Sequence, residues 1–594
     1  MSCRRKKLLA LFCATALSMT AVAGCTGTKS STGNVVSSET ETNAEETSAQ
    51  SEAGTFSSAD MFTERDLAGT YEESGAVYVT LSDDGIAGET DGVVIDGQMV
   101  TITAEGTYIF SGTLSEGQIV VDADNAKVQI VFDNVDITCA SSAAVYVKSA
   151  EKVFVTLAEG SQNTLRNTDE YVAIDDNNID AVIFAKSDLT LNGTGSLTIV
   201  SAEGHGIVSK DDLKIIGGTY DITAAGHALS GKDSVRIADG TFILTAEKDG
   251  IHAENADDEE KGYIYIADGD FTITSDGDGM DASNIVQIED GTLDITAGGG
   301  SANSLKTHES DVPGGPGGGM PQNGEKLDGE SMPQMGEKPD GENMPQDTTT
   351  DESGTSTKGI KAGGGMYLNG GTYQIDSADD SIHSNANITI ADGTYTLATG
   401  DDGVHADDAL IVNGGTITVT ESYEGLEGLA VTINDGTIDI TASDDGINTA
   451  GEKMELNGGY IHILAGGDGV DSNGDLTING GEIYIDGPSD NGNSAIDYGD
   501  RSSAYVNGGM LVAIGSSGMA EGMSDSSKQE VLMVKLGEQM EAGDVELTDN
   551  EGNVIVSYTA LKSYDCVIIS TAEVESGATY TLTTSGTMTE VTAE

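Results

Sequence analysis

The sequence predicts an all-β protein, a right-handed parallel β-helix built from 22-residue coils with a small C-terminal β cap. Two markers recur in one register along the chain, and a fixed period of this length is typical of a solenoid. The first is a turn glycine followed by an alternating apolar pattern, and most of these glycines lie about one period apart: Gly218, Gly240, Gly269, Gly291, Gly371, Gly393, Gly415, Gly436, Gly459, Gly481 and Gly509. The second is an apolar residue after a turn: Ile207, Leu229, Ile251, Ile360, Ile382, Val404, Leu426, Ile447 and Val470.

The segments after the turns alternate and are rich in β-branched residues, as in 372–375 and 437–440, and the period contains no helix-length pattern. At about 3.3 Å per residue, a 22-residue coil holds three short strands, and successive coils stack about 4.8 Å apart through parallel ladders. The usual crossover preference makes the winding right-handed. The signature of leucine-rich repeats is missing.

The same markers predict the domain boundaries. Residues 60–180 are predicted to form an N-terminal cap and the first coils, and residues 181–515 to form the regular β-helix. Residues 516–594, in which the turn-glycine motif no longer recurs, are predicted to form the C-terminal β cap. The interval between Gly291 and Gly371 is far longer than one coil. Within it, residues from about 310 to 356 are rich in Gly, Pro, Met and acidic residues and repeat Met-Pro-Gln, which predicts a disordered insertion.

The N-terminus predicts export. Four basic residues precede an apolar run from Leu8 to Ala23, which is typical of a signal peptide over residues 1–24. Ala23-Gly24-Cys25 resembles the lipobox of bacterial lipoproteins and predicts lipidation of Cys25. Residues 25–59 are polar and predict a disordered tether, so that the protein would be lipid-anchored to the outer face of the cell membrane and touch the membrane only through this lipid.

Charge and cysteine content exclude several classes of protein. The chain has 27 basic and 100 acidic residues and a net charge of −73, which argues against nucleic acid as a partner and favours divalent cations. Beyond Cys25 only Cys139 and Cys566 remain, so the sequence holds no disulfide framework and no cysteine-based metal site. We expect a monomer.

Two polar columns should run along the stack. One follows the inward apolar residue and should face outward: His252, Asp281, Lys306, Lys361, His383, His405, Glu427, Asn448 and Asp471. The other lies three positions earlier: Asp249, Asp278, Asp380, Asp402, Glu424, Asp445 and Asp468, with Asp379, Asp401 and Asp444 beside it. Asp before Gly is also ordinary turn chemistry, because its side chain caps the turn backbone.

Stacked carboxylates favour a cation. Two like charges about 5 Å apart cost on the order of 3 kcal/mol at an effective dielectric constant near 20. Oxygen ligands of this kind suit calcium, and the predicted ligands are Asp380, Asp402, Glu424, Asp445, Asp468 and Asp471. His383 and His405 lie one coil apart and could share a softer metal, although a turn or sugar-contacting role is the stronger hypothesis.

Several phrases resemble a family of bacterial surface proteins described as carbohydrate-binding domain-containing. They are Lys-Gly-Ile-Lys-Ala at 358–362, Ser-Ala-Asp-Asp-Ser-Ile-His-Ser at 377–384, Asp-Asp-Gly-Val-His-Ala at 401–406, Ser-Tyr-Glu-Gly-Leu-Glu-Gly at 422–428 and Ser-Asp-Asp-Gly-Ile-Asn at 443–448. The resemblance covers roughly residues 101–584. It implies a fold like that of β-helical polysaccharide lyases, calcium on the acidic columns, and binding of cellulose-type and pectin-type polysaccharides. The insertion and the 29-residue spacing before Asp278 depart from the regular pattern.

The leading functional hypothesis is calcium-assisted binding of a plant-type or acidic polysaccharide at the cell surface. The predicted sugar contacts are His383, His405, Tyr423, Glu427 and Asn448, with no catalytic residue. One alternative is an adhesin or a structural protein of the envelope. The other is a calcium-dependent lyase of uronate polymers with Lys361 or Lys306 as the base, although a lysine among carboxylates should keep its proton.

Overall fold

The computed structural model describes residues 55–306 and 356–593, except residues 89, 174, 452 and 500. The predicted signal peptide, Cys25 and most of the predicted tether and insertion lie outside these ranges. Within them, no helix combines the length and the apolar character needed to cross a membrane.

The described chain is all-β, as predicted. Its main sheet has 45 strands and is parallel through most of its length, and a separate antiparallel sheet has four strands. Helical structure in the described ranges is limited to three short segments: Ser58–Met61, Glu64–Leu67 and a 3-10 turn at Ser301–Asn303. The alternation of β-branched residues with polar ones therefore formed strands, because each strand buries one face.

The main sheet consists of three parallel ladders, in which most strands pair with the strand three further along the chain. Ladder 1 contains Met99–Ile102, Gln118–Asp122, Val145–Ser149, Ala181–Ala185, His205–Ser209, Leu229–Gly231, Ile251–Ala253, Met280–Ala282, Ile360–Ala362, Ile382–Ser384, Val404–Val412, Leu426–Ile433, Ile447–Thr449, Val470–Ser472 and Ile496–Tyr498. The two longest of its later strands, Val404–Val412 and Leu426–Ile433, continue into ladder 2.

Ladder 2 contains Val77–Leu81, Gly106–Leu114, Lys127–Thr138, Lys152–Leu157, Asp188–Gly193, Asp212–Ile215, Ser234–Ile237, Tyr263–Ile266, Val286–Ile288, Met366–Leu368, Ile388–Ile390, Met454–Leu456, Leu476–Ile478 and Ala504–Val506. Ladder 3 begins at the end of Lys127–Thr138 and contains Gln162–Asn167, Ser196–Ser201, Thr219–Ala224, Thr241–Ala246, Asp270–Ser275, Thr292–Ala297, Thr372–Ser377, Thr394–Thr399, Thr416–Glu421, Thr437–Ala442, Tyr460–Ala465, Glu482–Asp486 and Met510–Gly515. Val93–Asp96 forms an antiparallel hairpin with Met99–Ile102.

The core lies between the ladders. The predicted apolar column is fully buried at Ile382, Val404 and Leu426, and aromatic rings stack in register on ladder 3, with the Phe242 ring 5.2 Å from the Tyr220 ring. Burying each such side chain stabilises the fold by about 1.5–3 kcal/mol. Glycine is required at the turn before ladder 3. Gly393, for example, has a φ of +121°, and a Cβ there would lie 2.9 Å from the Tyr395 hydroxyl oxygen.

The C-terminal residues cover the last repeat. Met510–Gly515 pairs antiparallel with Tyr564–Ser570, which also pairs with Leu532–Met540. The four-stranded sheet contains Gly543–Thr548, Val554–Ala560, Thr579–Thr584 and Thr587–Thr592. This arrangement pairs the last strand of ladder 3, which would otherwise present an open edge.

The first described residues pack against the outside of ladder 2. The Phe56 ring lies 4.4 Å from the Tyr263 ring, and the Phe56 backbone N–H donates to Gln287 at 2.6 Å. Asp66 is fully buried and forms an ion pair with Lys152 at 2.6 Å. Burial alone would raise the pKa of Asp66, but hydrogen bonds from Lys152 and Thr63 lower it to about 2. In the described ranges, packing on the outside of ladder 2 therefore starts at Phe56.

Candidate functional site

The acidic residues form a column at the turn that precedes ladder 1. We call it the capping column, and its members lie two positions before the buried residue of each ladder 1 strand: His205, His227, Asp249, Asp278, Lys358, Asp380, Asp402, Glu424, Asp445, Asp468 and Ser494. Most of its side chains accept the backbone N–H of the next member, as Asp380 does from Asp402 at 3.2 Å and Asp445 from Asp468 at 2.6 Å. The acidic side chains of this column therefore do cap the turns, and each uses one carboxylate oxygen for this hydrogen bond.

A second column points outward from the ladder 1 strands themselves. We call it the facing column: Ser230, His252, Asp281, Lys361, His383, His405, Glu427, Asn448, Asp471 and Asp497. The prediction that Lys306 belongs to this column is wrong, because ladder 1 pairs Asp281 directly with Lys361. Lys306 follows the 3-10 turn and reaches Asp379 and Asp401 from outside the register.

The charge varies along both columns, and the capping column begins with two histidines. The His205 and His227 rings stack with centroids 4.8 Å apart, and the His227 and His252 rings are 4.1 Å apart. Asp249 Oδ2 lies 3.0 Å from Nδ1 of both His227 and His252. Burial opposes protonation of His252, but Asp249 and Asp281 raise its pKa to about 10, so Asp249 is neutralised within the protein.

In the middle of the capping column, lysines neutralise the carboxylates. Lys358 Nζ lies 2.6 Å from Asp380 Oδ2 and 2.9 Å from Asp379 Oδ2, and Lys306 Nζ lies 2.6 Å from Asp379 Oδ1. His383 Nδ1 is 2.8 Å from Asp380 Oδ2. Although burial would raise the pKa of Asp380, the nearby Lys358 and His383 hold it well below its usual range. Asp380 therefore already has the positive charge that a metal ion would supply.

One repeat further on, His405 takes the place of the lysine. His405 Nδ1 lies 3.0 Å from Asp402 Oδ2 and 3.2 Å from Glu427 Oε2. Burial disfavours the imidazolium, but Asp402, Asp380 and Glu427 raise the pKa of His405 to about 10. Glu424 accepts a hydrogen bond from Asn448 Nδ2 at 2.9 Å, and burial, with Asp402 and Glu427 nearby, raises the pKa of Glu424 well above its usual range.

The last acidic group has no such compensation. Asp445, Asp468 and Asp471 each offer an oxygen, and these oxygens lie within 4.8 Å of one another. In the described part of the chain, none of the three forms an ion pair with a Lys, Arg or His side chain. Burial, followed by repulsion from neighbouring carboxylates, raises their pKa values to about 8 for Asp445, about 7 for Asp468 and about 6 for Asp471. We call these three residues the acidic triad.

The structure places the two lysines of the lyase hypothesis in ion pairs. Lys361 Nζ lies 3.3 Å from Asp281 and 3.6 Å from Asp278. Burial lowers the pKa of each lysine, but the carboxylates around them outweigh it and raise the pKa of both Lys361 and Lys306 above the usual value. A lysine that keeps its proton is a poor general base.

The predicted sugar contacts are only partly accessible. The exposed fraction of the side chain is 12% at His383, 27% at His405 and 18% at Glu427, and Tyr423 and Asn448 are also partly buried. Sequence reasoning missed His205, His227 and Lys358 as members of the capping column. The 22-residue step from Asp249 and Asp380 would have found them, because 227 and 358 fall on it.

The described residues define a repetitive all-β protein with polar columns along one edge of ladder 1. The chain belongs to the family of carbohydrate-binding domain-containing proteins, which matches residues 96–403 and 401–580. A carbohydrate-binding domain-containing protein of Acetivibrio thermocellus is 40% identical over 139 residues, which is 23% of this chain and 49% of the relative, so the match spans about half of that protein. A solved structure of the polysaccharide lyase-like protein from C. thermocellum, a gadolinium derivative, is 36% identical, with a TM-score of 0.37, and the match covers 38% of this chain and 92% of that chain.

Proposed function

We propose that this protein is a polysaccharide-binding lipoprotein of the bacterial surface, that its three ladders wind as a right-handed parallel β-helix, and that calcium at the acidic triad assists binding. Family membership supports the carbohydrate ligand. The pairing of strands three apart supports the winding, since three strands then complete one turn. The lipobox-like sequence at Cys25 supports the anchor, and the polysaccharide would be of plant type or acidic.

The acidic triad carries the calcium proposal. Three shielded carboxylates with oxygens within 4.8 Å of one another repel unless they bind protons or a cation. Oxygen ligands from several carboxylates are those that calcium prefers. Each of Asp445 and Asp468 uses one oxygen as a turn cap and keeps the other for a metal ion. Of the six predicted ligands, Asp380 and Asp402 already have cationic partners, and Glu424 accepts a hydrogen bond from Asn448, which leaves the triad for calcium.

Calcium would give this acidic surface its affinity for a polysaccharide. A bound cation can coordinate sugar hydroxyl or carboxylate oxygens while the protein supplies the remaining ligands. A chain with a net charge of −73 otherwise repels an acidic polymer. Asp471, in the facing column, places one ligand on the solvent side of ladder 1.

A retention assay tests this proposal. The protein would be incubated with immobilised cellulose-type and pectin-type polysaccharides, with calcium or with a chelator. We expect calcium-dependent retention on at least one polymer, and loss of that dependence in Asp445→Asn/Asp468→Asn, where the turn-capping oxygen is kept and the charge removed. Asp435→Asn is the matched control, because exposed Asp435 caps Gly436 outside the columns. Equal retention of the double variant and the parent in calcium would contradict a role of the triad.

A further inference from the structure

A row of lysines lies near the C-terminal ends of four early strands of ladder 1, far from the acidic triad in sequence. Ladder 1 pairs Val147 with Ala185, Ala185 with Ser209, and Ser209 with Gly231. The residue after each of these four is a lysine, so Lys148, Lys186, Lys210 and Lys232 occupy one register position. We call them the lysine column. Since neighbouring strands lie about 4.8 Å apart, the column extends over about 15 Å.

This column is unusual for the chain and costs electrostatic energy. Only 27 residues are basic against 100 acidic ones, and like charges directly opposite in a sheet repel. Lys148 pairs with Asp122 at 2.7 Å and Lys232 with Asp257 at 2.8 Å. Within the described residues, Lys186 and Lys210 form no ion pair, although Lys210 Nζ lies 5.4 Å from the centre of the Phe184 ring. Two exposed ammonium groups are thus available to an anion.

A cavity opens beside the end of the column. It has a volume of about 370 Å³ and is lined by Lys210, Lys232, Lys248, His205, His227 and His252, together with smaller residues and the acidic Glu254 and Asp257. This volume is near the lower end of the range of about 300–1,000 Å³ for ligand pockets, which suits a monosaccharide or disaccharide unit. Three lysines face two carboxylates, Glu254 and Asp257, whereas the protonated His252 is already paired with Asp249 and Glu254.

The histidines add hydrogen-bond donors. His205 Nδ1 accepts the backbone N–H of His227 at 2.9 Å, so the neutral ring carries its proton on Nε2. The ring planes of His205 and His227 are within 3° of parallel, and His227 Nδ1 likewise accepts a backbone N–H, that of Asp249 at 3.2 Å. Burial and the basic groups around it, His227 first and then Lys248 and Lys210, lower the pKa of His205 to about 3, so this donor stays neutral.

The exposed Asp257 shows what the lysine column can hold. Its carboxylate lies on Lys232, and 82% of its side chain is exposed. An exposed ion pair of this kind is weak and exchangeable. A carboxylate from another molecule can therefore take the same position, and further ones along a chain can reach Lys210 and Lys186.

We propose that the lysine column and its cavity form a second glycan-binding site, which binds the anionic groups of a linear acidic polysaccharide directly and without calcium. This inference rests on the proposed polysaccharide-binding function and names the ligand class for a separate part of the surface. The strand spacing suits a polymer that lies along the stack and presents one acidic group per repeat. Carboxylate and sulfate groups can both form such ion pairs with lysine.

Calorimetric titration of the full chain in chelator tests the site. The ligands would be a galacturonate oligomer, a sulfated oligosaccharide and a neutral cello-oligosaccharide. We expect at least one anionic oligomer to bind and the neutral one to bind far more weakly. Lys186→Gln/Lys210→Gln should reduce the affinity about tenfold, because each exposed ion pair contributes modestly. Lys528→Gln, an exposed lysine outside the column, is the matched control. Asp257→Asn should strengthen binding by freeing Lys232.

A second readout locates the ligand. Binding should shift the Cε1 proton resonance of His205 in the parent and not in the double lysine variant. Tighter binding of the carboxylated or of the sulfated oligomer would identify the source of the anion. Absence of anionic binding in chelator, equal binding of the neutral oligomer, or an unchanged affinity of the double variant would each overturn the inference. The proposed function fails separately, if retention on every polysaccharide is the same in calcium and in chelator.

Discussion

Residues at one register position of the capping column differ in chemistry because their neighbours differ. Asp380 and Asp445 both accept the backbone N–H of the next repeat. Asp380 lies against Lys358 and His383, whereas Asp445 lies among carboxylates. An aspartate at the same register position is therefore a charge-compensated anion in one repeat, and in another it is a carboxyl group whose ionised form is destabilised. Substituting each with Asn separates these two states.

Asp445→Asn should raise the melting temperature of the chelated protein by a few degrees, because it removes repulsion and keeps the capping oxygen. Each unit by which the pKa is raised corresponds to about 1.4 kcal/mol of unfavourable interaction. The same variant should lose much of the rise in melting temperature that calcium gives the parent. Differential scanning calorimetry with and without calcium measures both effects, and a parent-like calcium response would argue against Asp445 as a ligand.

Asp380→Asn should have the opposite effect. Among the described ion pairs it leaves the buried Lys358 ammonium with Asp379 alone, and breaking a buried ion pair costs on the order of 3 kcal/mol. We expect a lower melting temperature that calcium does not restore. A variant as stable as the parent would show that Asp379 alone satisfies Lys358.

The acidic triad also predicts how stability depends on pH. The pKa values of Asp445, Asp468 and Asp471 in the folded protein lie above the unfolded value of about 3.9. Between about pH 4 and 8 the folded state therefore binds more protons than the unfolded state, and stability falls as pH rises through this window. Melting temperatures of the chelated protein should decrease from pH 5 to 8, and calcium should flatten the decrease. A chelated protein that grows more stable over this range would contradict the raised pKa values.

At the scale of residues, the sequence predicted which residues share a column better than it predicted which side chains contact one another. The repeat period located Asp380, Asp402 and Asp445 in one column, because register alone decides which residues stack. It could not predict that Lys306 would leave the facing column and reach Asp379 and Asp401, since that contact depends on the path of the chain after the 3-10 turn. Charge compensation, which distinguishes the triad from Asp380 and Asp402, depends on such contacts.

At the scale of elements, the repeat is the structural unit. All three ladders advance by the same step, as the pairings of Ile382 with Val404, Ile388 with Leu410 and Thr394 with Thr416 show. The sequence predicted this unit because turn glycines and buried residues share its period. It did not predict the register shift after Leu397, where Ala398 pairs with Glu421, since the extra residue belongs to neither marker.

Deleting one complete repeat should preserve the fold. Removing 381–402 joins Asp380 to Gly403 and keeps every ladder column in register, and each repeat contacts mainly its neighbours. We expect circular dichroism typical of β structure and resistance to limited proteolysis close to those of the parent. Removing only 381–391 deletes one strand of ladder 1 and one of ladder 2 and leaves two strands of ladder 3, Thr372–Ser377 and Thr394–Thr399, in succession, so this variant should unfold or aggregate. Equal behaviour of the two deletions would contradict the repeat as the structural unit.

At the scale of the whole molecule, contacts far apart in sequence were the hardest to predict. The Phe56 backbone contacts Gln287, which lies in a distant part of the sequence, and this contact has no periodic signal. Net charge, in contrast, is fixed by composition. A charge of −73 acts on the entire fold, and the lysine column is a local exception to it.

Salt should therefore act on stability and on binding in opposite directions. Raising the ionic strength from about 0.01 to 0.15 M shortens the Debye length from about 30 to 8 Å and screens repulsion among the acidic residues. The melting temperature of the chelated protein should rise. The same change should weaken calcium-independent binding of an anionic oligomer at the lysine column, because exposed ion pairs are screened as well. Calorimetry over a sodium chloride series measures both, with Lys186→Gln/Lys210→Gln as the control that should show a smaller salt dependence of binding and the same salt dependence of stability. If salt strengthened the binding of the anionic oligomer to the parent, or left it unchanged, the lysine column would not be the contact.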